Sequence, residues 1–226
     1  VRGGIPVFRV PDTQAAYGKI ARVWRDKFDI PVIGVTGSVG KTTTKEMLAA
    51  ALSPLGPILK TEASQNNETG VPKVLLQLNQ AHKAAVVEMG MRGVGQIAYL
   101  CDIARPTMGV VTMIAENHRE LRGSMEAIAD AKGELLDSLP ATGAAIVNSS
   151  SPYYGRLRSK VSGTIVSYGG EGADYAAENV AHNDGGWRFT VNSAPAQIAS
   201  HSPHDVDNAL AALAAADILN IPLADA

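Results

Sequence analysis

Gly37, Gly40, Lys41 and the run Thr42-Thr43-Thr44 stand between a short apolar stretch, Pro31 to Val35, and the start of a helical pattern. Glycines placed there let the backbone turn tightly, so that several N–H groups and the head of the next helix converge on anionic oxygens. Lys41 then reaches the outer phosphates and the Thr42 hydroxyl reaches Mg2+. Thr36, Ser38 and Thr43 belong to the same candidate binding loop. The chemistry this spacing serves is capture of a nucleoside triphosphate. A strict phosphate loop carries glycine where this chain has Val35, so an ordinary glycine-rich turn with a solvated lysine is the competing reading. That reading needs strand, glycines, lysine, threonines and helix to coincide by chance.

Other residues with chemical potential follow predicted strands. Glu88 ends Ala85-Val86-Val87 and can offer a carboxylate to Mg2+, which prefers octahedral oxygen coordination. Glu116 and His118 lie just beyond a strand predicted over 107–112, where His118 is a candidate second metal contact or phosphate partner. Taken alone, each has a plainer reading as a solvated side chain. Lys132 falls inside a predicted helix with Asp130 and Glu134 nearby, a pattern that also suits a surface lysine held by helix ion pairs.

The elements that must position these residues alternate strand and helix. Helical spacing over 12–28, a buried strand to Val35, and a helix over 41–53 stopped near Pro54 and Gly56 come first. A strand at Ile58 to Lys60, a polar loop 62–70, a helix 71–79, and a strand Ala84 to Glu88 follow. Helix 95–104, strand 107–112, polar loop 113–123, helix 124–138, strand 144–147 and helix 151–159 complete the repetition. Such alternation predicts an α/β fold, a mainly parallel sheet with helices on both faces. Ligands of open α/β sheets collect beyond the carboxyl ends of the strands, where the candidates cluster. From about 163 to 193 the pattern changes to short strands, Thr164 to Tyr168, Tyr175 to Ala181 and Trp187 to Asn192, read as a small antiparallel annex. An Ala-rich helix over about 205–219 is expected to pack back beside the nucleotide domain.

The chain has 226 residues, 46% of them apolar and 19% charged, with formal net charge −2. That is enough for one good core, and the charge gives no electrostatic case for nucleic acid or an anionic membrane. The single cysteine, Cys101, excludes an intrachain disulfide, fits a reducing compartment and reads as a small buried hydrophobe. No stretch has the character of a secretion signal or a membrane span, so a cytoplasmic location is expected.

Several ordered motifs carry a resemblance: Thr36-Gly37-Ser38-Val39-Gly40-Lys41-Thr42-Thr43-Thr44-Lys45-Glu46, Asn66-Asn67-Glu68-Thr69-Gly70-Val71-Pro72, Val87-Glu88-Met89-Gly90, Glu116-Asn117-His118 and Ala131-Lys132-Gly133-Glu134. Together they resemble the central ATP-binding domain of Mur ligases, most nearly the branch that adds D-alanyl-D-alanine to a UDP-muramyl tripeptide. The likeness covers about 30–220, within a central domain expected over 30–226. Residues 1–29 resemble the tail of an N-terminal substrate domain and its connecting helix, and the C-terminal ligase domain has no counterpart in the sequence. The resemblance implies an ATP- and Mg2+-dependent ligase of peptidoglycan synthesis, acting on small molecules and potentially beside other cell-wall enzymes. It gives Lys41 and the loop amides the β- and γ-phosphates, and Thr42, Glu88 and His118 the metal. Lys132 corresponds to a lysine that becomes carbamylated near the metal, and Asn66 and Asn67 to a loop lying against phosphates and acceptor.

The sequence also departs from the family. His204-Asp205-Val206-Asp207-Asn208 matches a motif reading His-Asn, two variable residues, Asn, whose first Asn helps recognise adenine; Asp205 replaces that amide with a charge. Asn208 keeps the second. Ala63 and Ala115 stand where glycines are usual, which restricts both backbones and is expected to reshape their loops. A divergent enzyme, a nucleotide-binding module with decayed catalysis, a folylpolyglutamate-synthase-like ligase and a structural partner of cell-wall enzymes all remain open at this point.

Overall fold

A computed structural model describes residues 7–115 and 124–226. Six strands form one wholly parallel sheet in the order β2-β3-β1-β4-β5-β6: β1 (Val32–Thr36), β2 (Ile58–Lys60), β3 (Ala84–Glu88), β4 (Met108–Val111), β5 (Ala144–Asn148) and β6 (Thr164–Tyr168). The chain runs from β1 to one side and returns to lay β4 on the other, so β1 sits at the point where strand order reverses. A crevice opens beyond the carboxyl end of such a strand, and the candidate phosphate loop leaves β1 there.

Alternate residues of the central strands feed two cores, as a sheet covered on both faces requires. Val32, Ala85, Val87, Val111, Ala145 and Val147 face one layer, with α1 (Thr13–Arg25), α3 (Gly70–Leu75), α4 (Gln96–Ala104), α5 (Met125–Asp137) and α6 (Tyr154–Arg158). Ile33, Val35, Val86, Val110 and Ile146 face the other, with α2 (Lys41–Ala51) and α7 (His204–Ile218). Every residue from Asn208 to Ala216 is buried, which a surface helix would not allow. The alanines let α7 lie close against α2, within the domain it was expected to pack beside.

The annex is a three-stranded antiparallel sheet, β7 (Glu178–Asn183), β8 (Gly186–Val191) and β9 (Ala194–Ile198), whose Phe189 and Val191 join the α2/α7 core. This corrects the sequence reading of 163–193 in two places. Thr164–Tyr168 belongs to the parallel sheet, paired with β5, and β9, containing Pro195, supplies a third annex strand. Proline is tolerated because β9 is an edge.

Cys101 packs in the first core, 3% exposed. Burial pushes its thiol from an ordinary 9.0 up to about 12. The folded chain therefore keeps a proton that the unfolded chain releases; the stability this contributes is complete below about pH 8.5 and is lost as pH rises towards the folded value. Unfolding free energy followed from pH 8 to 10 should fall more steeply in the natural chain than in Cys101→Ala. Equal slopes would contradict it.

Candidate functional site

The loop between β1 and α2 is built on one close approach. A Cβ at Gly37, whose φ is +151°, would lie 1.8 Å from Thr112 Oγ1, and that hydroxyl donates to the Val39 carbonyl at 2.6 Å and is 3.3 Å from the Thr36 carbonyl. Thr112, immediately after β4, thus holds both limbs of the loop. The Ser38 N–H donates to the Met113 carbonyl at 2.9 Å. Gly40, at φ +87°, is the N-cap of α2 and leaves no room for a side chain against Asn208. The Thr36 hydroxyl is wholly buried and donates to the Met89 carbonyl, a tie between β1 and the segment after β3.

Lys41 folds back over the loop, its Nζ donating to the Gly37 carbonyl at 2.7 Å and to Ser38 O at 3.3 Å. Lys132, on α5, also donates to Gly37 O, at 2.9 Å, and is 0% exposed. The solvent-facing alternative for Lys132 is therefore overturned: α5 aims it through the core layer at the loop. Its sequence neighbours are engaged elsewhere, Asp130 with Arg156 and Glu134 with the Gly95 and Ala98 N–H groups. Ser38 Oγ is buried and has no hydrogen-bond partner among the described residues. A buried hydroxyl left unpaired costs free energy until a ligand accepts from it.

Glu88 closes the group. It is 2% exposed, accepts from Thr42 Oγ1 at 3.0 Å and from Asn66 Nδ2 at 2.8 Å, and its own N–H donates to the Thr61 hydroxyl at 2.9 Å. Carboxylate, hydroxyl and amide from three segments meet at the head of α2, a set of hard oxygen donors that suits Mg2+. Thr43 occupies the next position on the first turn. Asn67 accepts through Oδ1 from the Thr69 and Gly70 N–H groups at the start of α3. His118 and Glu116 lie outside the described residues.

Asp205 and Asn208 sit behind the loop. Asn208 accepts from Thr44 Oγ1 at 3.0 Å and donates to Asp205 at 2.9 Å, and Asp205 also accepts from Ser200. The charge that replaces an amide at position 205 is thus held within the fold. Beside it, burial raises the Asp207 pKa, partly offset by a bond from Asn148 and by His204.

Sequence reasoning missed Thr61, Thr112 and Lys45. The last is 1% exposed on α2 and paired with Glu46 at 3.0 Å; Glu46 is held below the usual carboxylate range first by Lys60 and also by Lys45. Lysine one turn after Lys41 was the available signal. At Ala63, where glycine is usual in the family, the backbone adopts the left-handed conformation, φ +48°. A residue with a Cβ pays roughly 1–2 kcal/mol there, against about 0.4–1 kcal/mol of extra chain entropy for glycine. Ala63→Gly should therefore stabilise the chain by roughly 0.5–1 kcal/mol, a rise of about 1–4 °C in Tm by calorimetry; a fall would show that the strain is absent.

The Mur ligase middle domain matches residues 35–216. The chain belongs to the Mur ligase family. Among curated relatives it is 45% identical over 215 residues to the UDP-N-acetylmuramoyl-tripeptide–D-alanyl-D-alanine ligase of Synechocystis sp., covering 95% of this chain and 46% of the relative. The Escherichia coli ligase of the same name is 35% identical over 217 residues, covering 93% and 48%. Among solved structures, a Mur ligase of Acinetobacter baumannii, MurF, superposes over 100% of this chain and 51% of its own, with TM-score 0.93 and 33% identity. MurF of Thermotoga maritima, solved in complex with ADP, gives TM-score 0.87 and 27% identity, covering 100% and 54%. The chain spans about half the length of the curated Mur ligases it matches. Among the described residues, no helix is long and apolar enough to cross a membrane.

Proposed function

We propose that this chain is the nucleotide-handling part of an ATP- and Mg2+-dependent cytoplasmic ligase that joins D-alanyl-D-alanine to a UDP-muramyl tripeptide. Residues 1–29 would end a substrate-binding domain and form its connecting helix, with 30–226 the ATP-binding domain. The observation that carries the reading is the buried Glu88 carboxylate, hydrogen-bonded to Thr42 and Asn66, beside a loop whose buried Ser38 hydroxyl has no partner among the described residues. Those groups fit a metal–triphosphate better than a structural turn, which has no need of a carboxylate at its mouth.

In this function ATP supplies a phosphoryl group that turns the peptide carboxylate into an acyl phosphate, which the D-alanyl-D-alanine amine attacks with loss of phosphate. The chain's residues bind and orient. Lys41 would leave the Gly37 and Ser38 carbonyls for the outer phosphates, the Ser38 hydroxyl and loop amides would donate to phosphate oxygens, and Thr42 and Glu88 would hold Mg2+ together with His118. These are electrostatic and orientational contributions, and no side chain need become a covalent nucleophile. Lys132, carbamylated, would place an anionic group near the metal while its remaining N–H still donates to Gly37 O. Asp205 and Asn208 support the loop and border the adenine. The chain alone, spanning about half the length of the ligases it matches, is expected to be a poor ligase.

Calorimetric titration of the chain with ATP, with and without Mg2+, tests nucleotide binding. Saturable, Mg2+-enhanced binding is expected, and Lys41→Ala should weaken it by about tenfold or more, equivalent to about 1.4 kcal/mol, without lowering Tm. A folded chain giving no heat at several millimolar ATP would overturn the reading.

A further inference from the structure

A second cluster of ligating side chains lies on the annex, apart from the phosphate loop. His182 on β7 and His201 in the connector between β9 and α7 are both exposed, with His182 Nε2 3.0 Å from His201 Nδ1 and ring planes inclined at 75°. Trp187 is the direct cross-strand partner of His182, and its ring lies 4.6 Å from the imidazole. That contact restrains the ring and lowers the ordering cost of placing a ligand there.

As a hydrogen bond the contact requires one ring nitrogen to donate and the other to accept. Moving the donor ring's proton to its other nitrogen frees both facing nitrogens, and a rotation of these exposed rings would then turn their lone pairs off the N···N line towards a cation beside it. We propose that His182 and His201 form a site for a late first-row divalent metal ion, with solvent waters completing its coordination. With metal–nitrogen bonds of about 2.0–2.1 Å, nitrogens 3.0 Å apart subtend an angle of about 91–97° at the metal. That is the cis angle of a square-planar or octahedral centre rather than a tetrahedral one, so the geometry favours Cu2+ and Ni2+ over Zn2+. Neutral imidazole ligands exclude hard cations such as Mg2+ as the preferred occupant, which separates this site chemically from the one at Glu88. Bound metal would pin β7 to the residue next to Ser200, whose hydroxyl holds Asp205 at the start of α7.

The test is titration of Ni2+ into the untagged chain, read by calorimetry and by Trp187 fluorescence in a Trp24→Phe background. One-site binding in the micromolar range with quenching of Trp187 is expected. His182→Gln and His201→Gln should each weaken it by about tenfold or more, His82→Gln should leave it unchanged, and the metal-free Tm of all three should match the parent. Binding that survives either substitution at the paired histidines would assign the metal to other ligands and overturn the proposal. So would the absence of saturable binding up to about 1 mM Ni2+ by the folded chain.

Discussion

Lys132→Ala, made in the full-length polypeptide, is expected to lower the rate of amide formation by roughly 10²–10³-fold, the range seen when one preorganised electrostatic group is removed from a reacting centre. The side chain is wholly buried with its amine 2.9 Å from Gly37 O, so its modified end would lie beside the phosphate loop. Short carboxylic acids such as acetate should restore part of the rate, because they replace the missing carbamate oxygens. A purely structural role predicts the loss without the rescue. Burial also means that truncation opens a cavity, and a Tm measured on the same variant separates a damaged fold from a damaged site. An unchanged rate would reject any catalytic part for Lys132.

Glu88→Gln is the second large effect. The amide is nearly isosteric and retains an oxygen for Thr42 or Asn66, while removing the negative charge that suits a divalent cation. Mg2+-dependent ATP affinity should fall by about 100-fold, whereas affinity without Mg2+ should stay within a few-fold. Loss of a second-layer partner alone gives about 10–100-fold, so Asn66→Ala is expected to fall below Glu88→Gln in the same assay. Equal losses with and without Mg2+ would place the carboxylate on the nucleotide or the fold instead of the metal.

The backbone of the loop between β1 and α2 was legible because its signal is local: glycines, lysine and threonine within one turn demand a particular conformation. Glu88 and Lys132 were legible as candidates, but their burial was not. A terminal Glu and a helical Lys flanked by acids both look solvated until the sheet and α5 bring them to the loop. Thr112 and Thr61 act through one hydroxyl each, across sequence gaps that no local pattern marks. Strand pairing was the weakest part of the reading. Thr164–Tyr168 has the composition of any strand, and whether it extends the parallel sheet or an annex depends on which edge is free. The β9 segment Ala194–Ile198 hid behind Pro195 and short side chains, whose low strand propensity is offset by pairing with β8. Ala63 stands in a backbone conformation natural to glycine, which its residue type alone did not reveal.

The proposal that this chain is part of a D-alanyl-D-alanine-adding ligase is tested most directly by product formation in the full-length gene product. The protein is supplied with Mg2+, ATP, UDP-muramyl tripeptide and D-alanyl-D-alanine, and the mixture is followed by mass spectrometry together with ADP and phosphate release. The account predicts UDP-muramyl pentapeptide, ADP and phosphate in equal amounts, with formation dependent on all four additions and suppressed by Lys41→Ala. A folded protein that binds Mg2+–ATP yet forms no pentapeptide would contradict it and assign the chain to a nucleotide-binding module that has lost its chemistry.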